Sequence, residues 1–433
     1  MKTIAYHTLG CKVNQYDTQA MEELLTKAGY KSVPFPGPAD VFLINTCTVT
    51  GTGDKKSIQL ARHLKREYPH CFLILCGCLA QLKGEELLSA GADLIVGTQF
   101  RSSIVSLLDQ VISDGKPRCF VSPYPDHAAY ENLQISTHHD RTRAVLKIQE
   151  GCQNHCSYCI IPTVRGPIRS RPLEDIRNEA LSLSSSGYKE IVLTGIHISS
   201  YGKDFKDHHT SLLDVLNILE QTDGILRVRL GSLEPGIATE SFAKEISTFH
   251  KLCPQFHLAL QSGSDSVLRR MRRRYNASAY LQAVDNLRNV FPDAAFTTDI
   301  LTGFPGETES EFEETKEMIR KVQFSRIHVF PYSPRPGTEA ASMPCQIPEA
   351  EKRRRTRELI SLGEAVSACY CRQWIGKTTV ILPEEMNDGC WEGYSPEYLR
   401  IRLQSESDCT SGEPVRVLIK EFSPRYLGGV MIK

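Results

Sequence analysis

The sequence predicts a multidomain α/β protein: an N-terminal open parallel α/β sheet, a central partial barrel of six βα units, and a C-terminal small antiparallel β-barrel. Three observations carry this expectation. Strand-like and helix-like stretches alternate four times before residue 112, they alternate again from about residue 143, and beyond about residue 375 short strands are separated only by turn residues. The chain's 433 residues exceed what one hydrophobic core organises.

In the first part, KTIAYHTLG precedes YDTQAMEELLTKAGY, ADVFLINTC precedes KKSIQLARHLKREYP, CFLILCGC precedes GEELLSAG, and DLIVGT precedes SSIVSLLDQVISD. Strands joined by helical crossovers lie parallel. Cys11, Cys47 and Cys78 each fall where a strand hands over to a helix. In an open parallel sheet those points share one edge, the carboxyl ends of the strands, where ligands of α/β folds collect. A lone free cysteine is most often a small buried hydrophobe. Three at the same point of successive units read instead as ligands of a metal or a cluster. Cys76 faces the same side as Cys78 two residues later; it is a core residue or a substitute ligand, with Cys78 at the strand end the better placed.

Residues 113–137 are polar, rich in Pro, His and Asp, and read as a linker. The strand RAVLKIQ then opens residues 138–368, and EGCQNHCSYCIIPTVRGP directly after it sets Cys152, Cys156 and Cys159 in a CxxxCxxC run. Three thiolates on one loop can hold three irons of a cubane cluster and leave the fourth open. Zinc is the alternative, but structural zinc sites use four ligands in paired spacing, and His155 lies inside the loop without a distal pair. Five further strand-like runs follow, EIVLTGI, RVRLGSLEP, FHLALQSG, FTTDILTGFPG and SRIHVFPY, separated by helical stretches such as LEDIRNEALSLSSSGY. Six parallel βα units make a partial TIM barrel, whose chemistry sits at the carboxyl ends of its strands, and the cysteine loop follows the first strand there.

Composition narrows the function classes. No apolar run approaches the roughly 20 residues that span a bilayer, and MKTIAYHTLGC lacks the apolar core of a secretory signal, so the expected location is cytoplasmic with no membrane partner. In a reducing compartment, 15 cysteines favour metal or catalytic use over disulfides. Lys+Arg and Asp+Glu balance at 51 each, so any nucleic acid must be bound by local patches.

LGCKVNQYDT, NTCTVT, EGC with CSYCIIP, LTGIHISSYG, LQSGSD and GFPGET, spread over nearly the whole chain, resemble the sequence blocks of the radical S-adenosylmethionine (SAM) methylthiotransferases. TLGCKVN, NTCTVT, LTGIH and HVFPYSPRPGT are most similar to the branch that acts on N6-threonylcarbamoyladenosine in tRNA. The other branches act on isopentenyladenosine in tRNA and on an aspartate of a ribosomal protein. One departure is IIPTVRG, where the family more often has Tyr and Ala at the places of Thr163 and Val164.

The resemblance implies an N-terminal methylthiotransferase domain over 1–112, a radical SAM core over 138–368 and a TRAM domain over 369–433. It implies that Cys152, Cys156 and Cys159 hold a 4Fe-4S cluster whose open iron chelates SAM, and that Cys11, Cys47 and Cys78 hold an auxiliary 4Fe-4S cluster carrying the sulfur to be transferred. Radical chemistry suits the substrate, because the C–H bond at carbon 2 of adenine is not acidic enough for general-base catalysis. The implied partners are tRNA at its anticodon loop, an electron donor such as flavodoxin or ferredoxin, and a sulfur donor.

Weaker expectations concern single residues. Tyr158 occupies the place of an aromatic beside the SAM adenine, or simply packs the loop. Thr194 and Gly195 either approach the methionine end of SAM or form a tight turn. Arg269, Arg270, Arg272, Arg273 and Arg274 form the densest basic cluster, suited to RNA phosphates or to a solvated helix face. The last segment has seven Lys/Arg against nine Asp/Glu over 376–433, so RNA contact there needs placed residues such as Arg400, Arg402 or Lys420. Two other classes compete with the enzyme: a non-catalytic iron-sulfur RNA-binding protein and a cysteine redox sensor.

Overall fold

The first layer of the computed structural model, which describes residues 2–125, 127–136, 142–206, 209–403 and 409–432, is a six-stranded parallel sheet. Its strands run in the order Lys31–Ser32, Thr3–Thr8, Val41–Thr46, Phe72–Gly77, Leu94–Val96 and Arg118–Phe120. Val41–Thr46 is buried throughout, as a parallel strand covered on both faces must be. Its side chains alternate between two cores. Val41 and Leu43 join Ile4, Ile74 and Leu94 beneath the helices Lys12–Lys27 and Ile104–Asp114. Phe42 and Ile44 join Leu73, Leu75 and Ile95 beneath Gly51–Glu67. Cys76 belongs to the first core, fully buried, with its thiol 3.7 Å from the Ile44 carbonyl; it is a core residue.

The strand order changes direction between Thr3–Thr8 and Val41–Thr46. The loops beyond two such strands diverge and open a crevice, and Cys11 follows one strand while Cys47 follows the other.

The reading of 113–137 as a linker is corrected by its packing. Arg118–Phe120 is an edge strand, parallel to Leu94–Val96, and Leu133 and Ile135 are buried against Tyr16, Ala20 and Val145. Three residues are too few to display a period, so the polar surroundings hid the strand.

The central region contains the six expected strands: Arg143–Glu150, Glu190–Gly195, Arg227–Arg229 continued by Ser232–Leu233, Gln255–Leu258, Ala295–Thr302 and Arg326–Pro331. Neighbours pair in parallel. The third strand is broken, its first half pairing with the second strand and its second half with the fourth. At the break, a Cβ on Gly231 would stand 2.8 Å from the Leu193 carbonyl oxygen. Glycine permits that approach, and the kink turns the sheet over into a partial barrel. Ala144, Leu146 and Ile148 face the helices, which leaves Arg143, Val145, Lys147 and Gln149 on the inner face.

The helix Glu349–Arg372 leads into a closed barrel of Thr378–Asn387, Cys390–Tyr394, Arg400–Leu403, Val415–Phe422 and Leu427–Met431. Four of its seams are antiparallel and one, between Arg400–Leu403 and Leu427–Met431, is parallel. An odd number of strands cannot close with every neighbour antiparallel. This barrel docks where the central strands begin: Arg227 donates to the carbonyls of Tyr394 and Val380 at 2.9 and 2.7 Å, and Arg143 pairs with Glu384 at 2.9 Å. It therefore sits at the end of the central barrel opposite the cysteine loop. Among the described residues no helix is long and apolar enough to cross a membrane.

Candidate active site at the carboxyl ends of the strands

Three loops of the N-terminal sheet are tied together by asparagine and threonine side chains. Asn14 donates to the carbonyls of Leu9 and Thr46 at 2.8 and 3.0 Å, and Asn45 donates to the Asn14 carbonyl at 2.9 Å. Thr46 joins the third loop, accepting from the Ala80 amide at 3.3 Å. Gly10, at φ +108°, lies so close that a Cβ there would be 2.9 Å from Cys47 Cβ and 3.1 Å from Cys47 Sγ. Cys11, Cys47 and Cys78 are thus brought to one place. Burial pushes the Cys78 thiol up to about 11, with Arg165 opposing and the charges of Cys11 and Cys47 adding to the rise. Burial likewise raises Cys47, and Cys11 adds to it. Thiols that oppose one another's ionisation become thiolates together when a cationic group sits among them.

The second cysteine loop opens at Gly151, whose φ is +75° and whose missing Cβ would lie 1.8 Å from the Pro167 carbonyl oxygen. Only glycine fits there. The Cys152 amide donates to Gly166 O at 3.1 Å, and the Cys159 amide to Cys156 O at 3.0 Å. Ser157 anchors the loop to the arginine-rich segment through its amide on Met271 O at 3.1 Å and its hydroxyl on Arg270 O at 2.7 Å. Burial carries the Cys159 thiol up to about 12 and raises Cys152. Among the described residues no three His, Cys, Asp or Glu side chains converge on a single ion. A cubane takes its thiolates on separate irons, so its ligands stand farther apart than those of one ion.

Each cysteine set has one arginine that donates to a sulfur. Arg273 donates to Cys156 Sγ at 3.3 Å and pairs with Glu234 at 3.2 Å. Glu234 also accepts from Asn154 at 2.6 Å and meets His197 Nε2 at 2.7 Å. Burial pushes the Glu234 carboxyl up, but the His197 bond and the Arg273 charge outweigh it and hold the carboxyl below its usual range. On the other side, Arg165 donates through Nε to Cys78 Sγ at 3.2 Å. Its other nitrogens reach Asp17 at 2.9 Å, Glu150 and Asn14.

Arg165 is one member of a buried ionic network that joins the two regions. Asp17 and Arg101 come from the N-terminal sheet; Lys147, Glu150 and Arg165 come from the barrel. Arg101 also bonds Glu150 at 2.9 Å and Glu131 at 2.8 Å, and Lys147 bonds Asp17 and Glu150. Three cations thus face three carboxylates. Burial raises Asp17 and Glu150, but Arg101, Lys147 and Arg165 hold both below the usual carboxylate range. Since Glu150 precedes Gly151 and Cys152 in the chain, one guanidinium spans from Cys78 to the root of the second cysteine loop.

The remaining expected residues are distributed as follows. Tyr158 is partly buried against Val267, Met271 and Phe304, with its ring 6.5 Å from that of Phe304. Thr194 is buried at the end of its strand, and a Cβ on Gly195 would be 2.9 Å from the Gln149 carbonyl oxygen. The basic cluster divides. Arg270 pairs with Glu311 at 2.8 Å, Arg272 with Glu339 at 2.6 Å, and Arg273 turns inward to Cys156. Arg269 and Arg274 are exposed and make no ion pair among the described residues; they line a cleft beside the cysteine loop. In the C-terminal barrel, Arg400 pairs with Glu392 and Arg402 with Asp388 at 3.4 Å, while Lys420 is exposed. Sequence reasoning missed His197, Glu234 and Arg165. The signals were present, since His197 and Glu234 closely follow barrel strands in LTGIH and GSLEP and Arg165 precedes the glycine of IIPTVRG, but none stands out without its partners.

Comparison with known proteins places these features in a family. The Radical SAM superfamily model matches residues 146–319, and that of Uncharacterized protein family UPF0004 matches residues 3–97. The threonylcarbamoyladenosine tRNA methylthiotransferase MtaB of Bacillus subtilis is 40% identical over 440 residues, spanning 100% of this chain and 97% of the relative. The chain belongs to the radical SAM methylthiotransferase family. The protein of the same name from Thermotoga maritima is 40% identical over 92% of this chain and 91% of its own. A tRNA-2-methylthio-N(6)-dimethylallyladenosine synthase from Symbiobacterium thermophilum is 35% identical over 88% of this chain and 84% of its own. Among solved structures, the radical S-adenosylmethionine methyltransferase TsrM from Kitasatospora setae aligns with a TM-score of 0.56 at 12% identity, covering 78% of this chain and 77% of that one. That likeness shows the fold. Radical SAM methylthiotransferases use SAM and two 4Fe-4S clusters, and two sets of three neighbouring cysteines, each with one arginine donating to a sulfur, fit that pair of cofactors.

Proposed function

We propose that this chain adds a methylthio group to carbon 2 of N6-threonylcarbamoyladenosine at position 37 of tRNA, beside the anticodon. The observation that carries the reading is full-length identity of 40% to a threonylcarbamoyladenosine tRNA methylthiotransferase, against 35% to a dimethylallyladenosine synthase. Cys152, Cys156 and Cys159 would hold one cluster and Cys11, Cys47 and Cys78 the other. Bound there, the clusters supply the electron that cleaves SAM reductively and the open iron that carries sulfur. The chain's own residues orient and insulate. Arg273 and Arg165 each donate to a ligand sulfur, Gly151 lets the loop fold against Pro167, and Tyr158, Thr194 and Gly195 line the surroundings of SAM. An electron donor and a sulfur donor complete the reaction, in the cytoplasm where tRNA is modified.

The test is mass spectrometry of nucleosides from total tRNA of a strain lacking the gene, beside its parent. Loss of methylthio-threonylcarbamoyladenosine with build-up of its precursor is the expected result. Loss of methylthio-isopentenyladenosine instead would transfer the enzyme to the other tRNA branch, and no change in either would move the search to protein substrates.

Exposed Arg269 and Arg274 beside the cysteine loop are suited to phosphate contacts, as Arg400, Arg402 and Lys420 are in the C-terminal barrel. Reversing both charges with Arg269→Glu and Arg274→Glu is expected to weaken tRNA binding alike for modified and unmodified anticodon loops. The salt dependence of log Kd should flatten by about one per lost contact. A titration at several salt concentrations that showed an unchanged slope would remove these two residues from the RNA surface.

A further inference from the structure

A cleft of about 670 Å³ along the inner face of the first two barrel strands has no role in the account above. Val145 and Val192 line it from the barrel, Arg143, Tyr394 and Tyr398 line it where the C-terminal barrel docks, and Lys12 lines it from the first helix of the N-terminal sheet. Its two nearest cations are not equivalent. Arg143 is held in place, paired with Glu384 at 2.9 Å and lying 4.8 and 5.1 Å from the ring centres of Tyr394 and Tyr398. Lys12 lines the cleft from the other side, and among the described residues its ammonium makes no ion pair within 4.0 Å and no hydrogen bond; Arg143 and Arg229 oppose its charge, and Tyr398 and Glu190 favour it.

Its position in the chain gives that free ammonium meaning. Lys12 directly follows Cys11, so its backbone stands about 3.8 Å from that of a proposed ligand of the sulfur-carrying cluster. Carbon 2 of adenine and carbon 6, which bears N6, flank the same ring nitrogen. With carbon 2 at the Cys11 loop, the N6 substituent leaves from the neighbouring corner of the ring, and Lys12 is the cationic residue rooted next to that loop. A threonylcarbamoyl group carries a carboxylate there; a dimethylallyl group carries only methyls.

We propose that Lys12 is a specificity-determining residue, whose ammonium pairs with the carboxylate of the threonylcarbamoyl group and so sets carbon 2 toward the cysteine loops. The assignment rests on the function proposed above. A charge-assisted hydrogen bond favours the cognate nucleoside, and an apolar substituent would leave the ammonium unpaired against methyl groups. One residue then both attracts the right substrate and disfavours the wrong one.

The test compares Lys12→Gln and Lys12→Arg with the wild type, each reconstituted with iron and sulfide. The measurement is affinity for a tRNA bearing threonylcarbamoyladenosine and for the same transcript with plain adenosine. Wild type is expected to prefer the modified tRNA. Lys12→Gln is expected to lose about tenfold or more of that preference with unchanged affinity for the plain transcript, and Lys12→Arg to keep most of it. Equal weakening toward both tRNAs would make Lys12 a backbone-phosphate contact and overturn the assignment, as would an unchanged preference. Wild type that modifies only dimethylallyladenosine tRNA would refute the proposed function itself. Wild type active on threonylcarbamoyladenosine tRNA beside an unaltered Lys12→Gln would refute the Lys12 assignment alone.

Discussion

Cys152→Ala is expected to abolish both SAM cleavage and methylthio product, whereas Cys47→Ala is expected to keep part of the SAM cleavage and lose the product. The asymmetry follows from the placement of the two cysteine sets. Cys152 opens the loop after the first barrel strand, its amide fastened to Gly166, and removing one of three thiolates leaves a cubane with two irons unliganded by protein. Cys47 lies on the other side of the buried ionic network, packed on Gly10. Its loss leaves the Gly151–Arg273 side untouched. Deoxyadenosine release and methylthio-nucleoside formation, measured on the same samples with iron content, separate the two roles. Full product from Cys47→Ala would remove it from the auxiliary set.

Arg165→Ala is expected to destabilise the docking of the N-terminal sheet on the barrel by about 3–5 kcal/mol. Its guanidinium is fully buried and shared among Asp17, Glu150, Asn14 and Cys78. Alanine leaves two buried carboxylates short of a cation and a thiol without its donor. The cost is that of uncompensated charge, not of a lost surface contact. A lower melting temperature, faster proteolysis between the two regions and selective loss of auxiliary-site iron are the expected readouts. An unchanged melting temperature would show the network to be redundant. The same network has a pH signature. Asp17 and Glu150 titrate below their unfolded values, so their contribution is complete above about pH 5 and fades as pH falls through the lowered values.

The lesson for reading such a chain lies in particular residues. Cys11, Cys47 and Cys78 are separated by tens of residues, yet their common position in the βα period was enough to bring them together on paper, because parallel strands present all their carboxyl ends along one edge. The CxxxCxxC run was legible for the opposite reason, since its three cysteines lie on one loop and need no tertiary fold to be neighbours. Arg118–Phe120 was hidden because three residues show no period. The five arginines from 269 to 274 looked alike in sequence, but Arg273 turns inward to Cys156 and Glu234, Arg270 and Arg272 pair with other glutamates, and Arg269 and Arg274 are exposed without an ion pair among the described residues.

By itself, then, the sequence determined the alternation of the main strands and helices, the parallel pairing of those main strands and the common placement of each set of three cysteines. These follow from local periodicity and from chain connectivity. Only the tertiary structure decided that Arg165 and Arg273 each serve a cysteine, that Asp17 and Glu150 share three cations across the domain boundary, that the C-terminal barrel docks at the far end of the central one, and that Lys12 stands unpaired in a cleft. Burial and pairing are relations between residues distant in the chain, and a charged side chain carries no local sign of which partner the fold will bring to it.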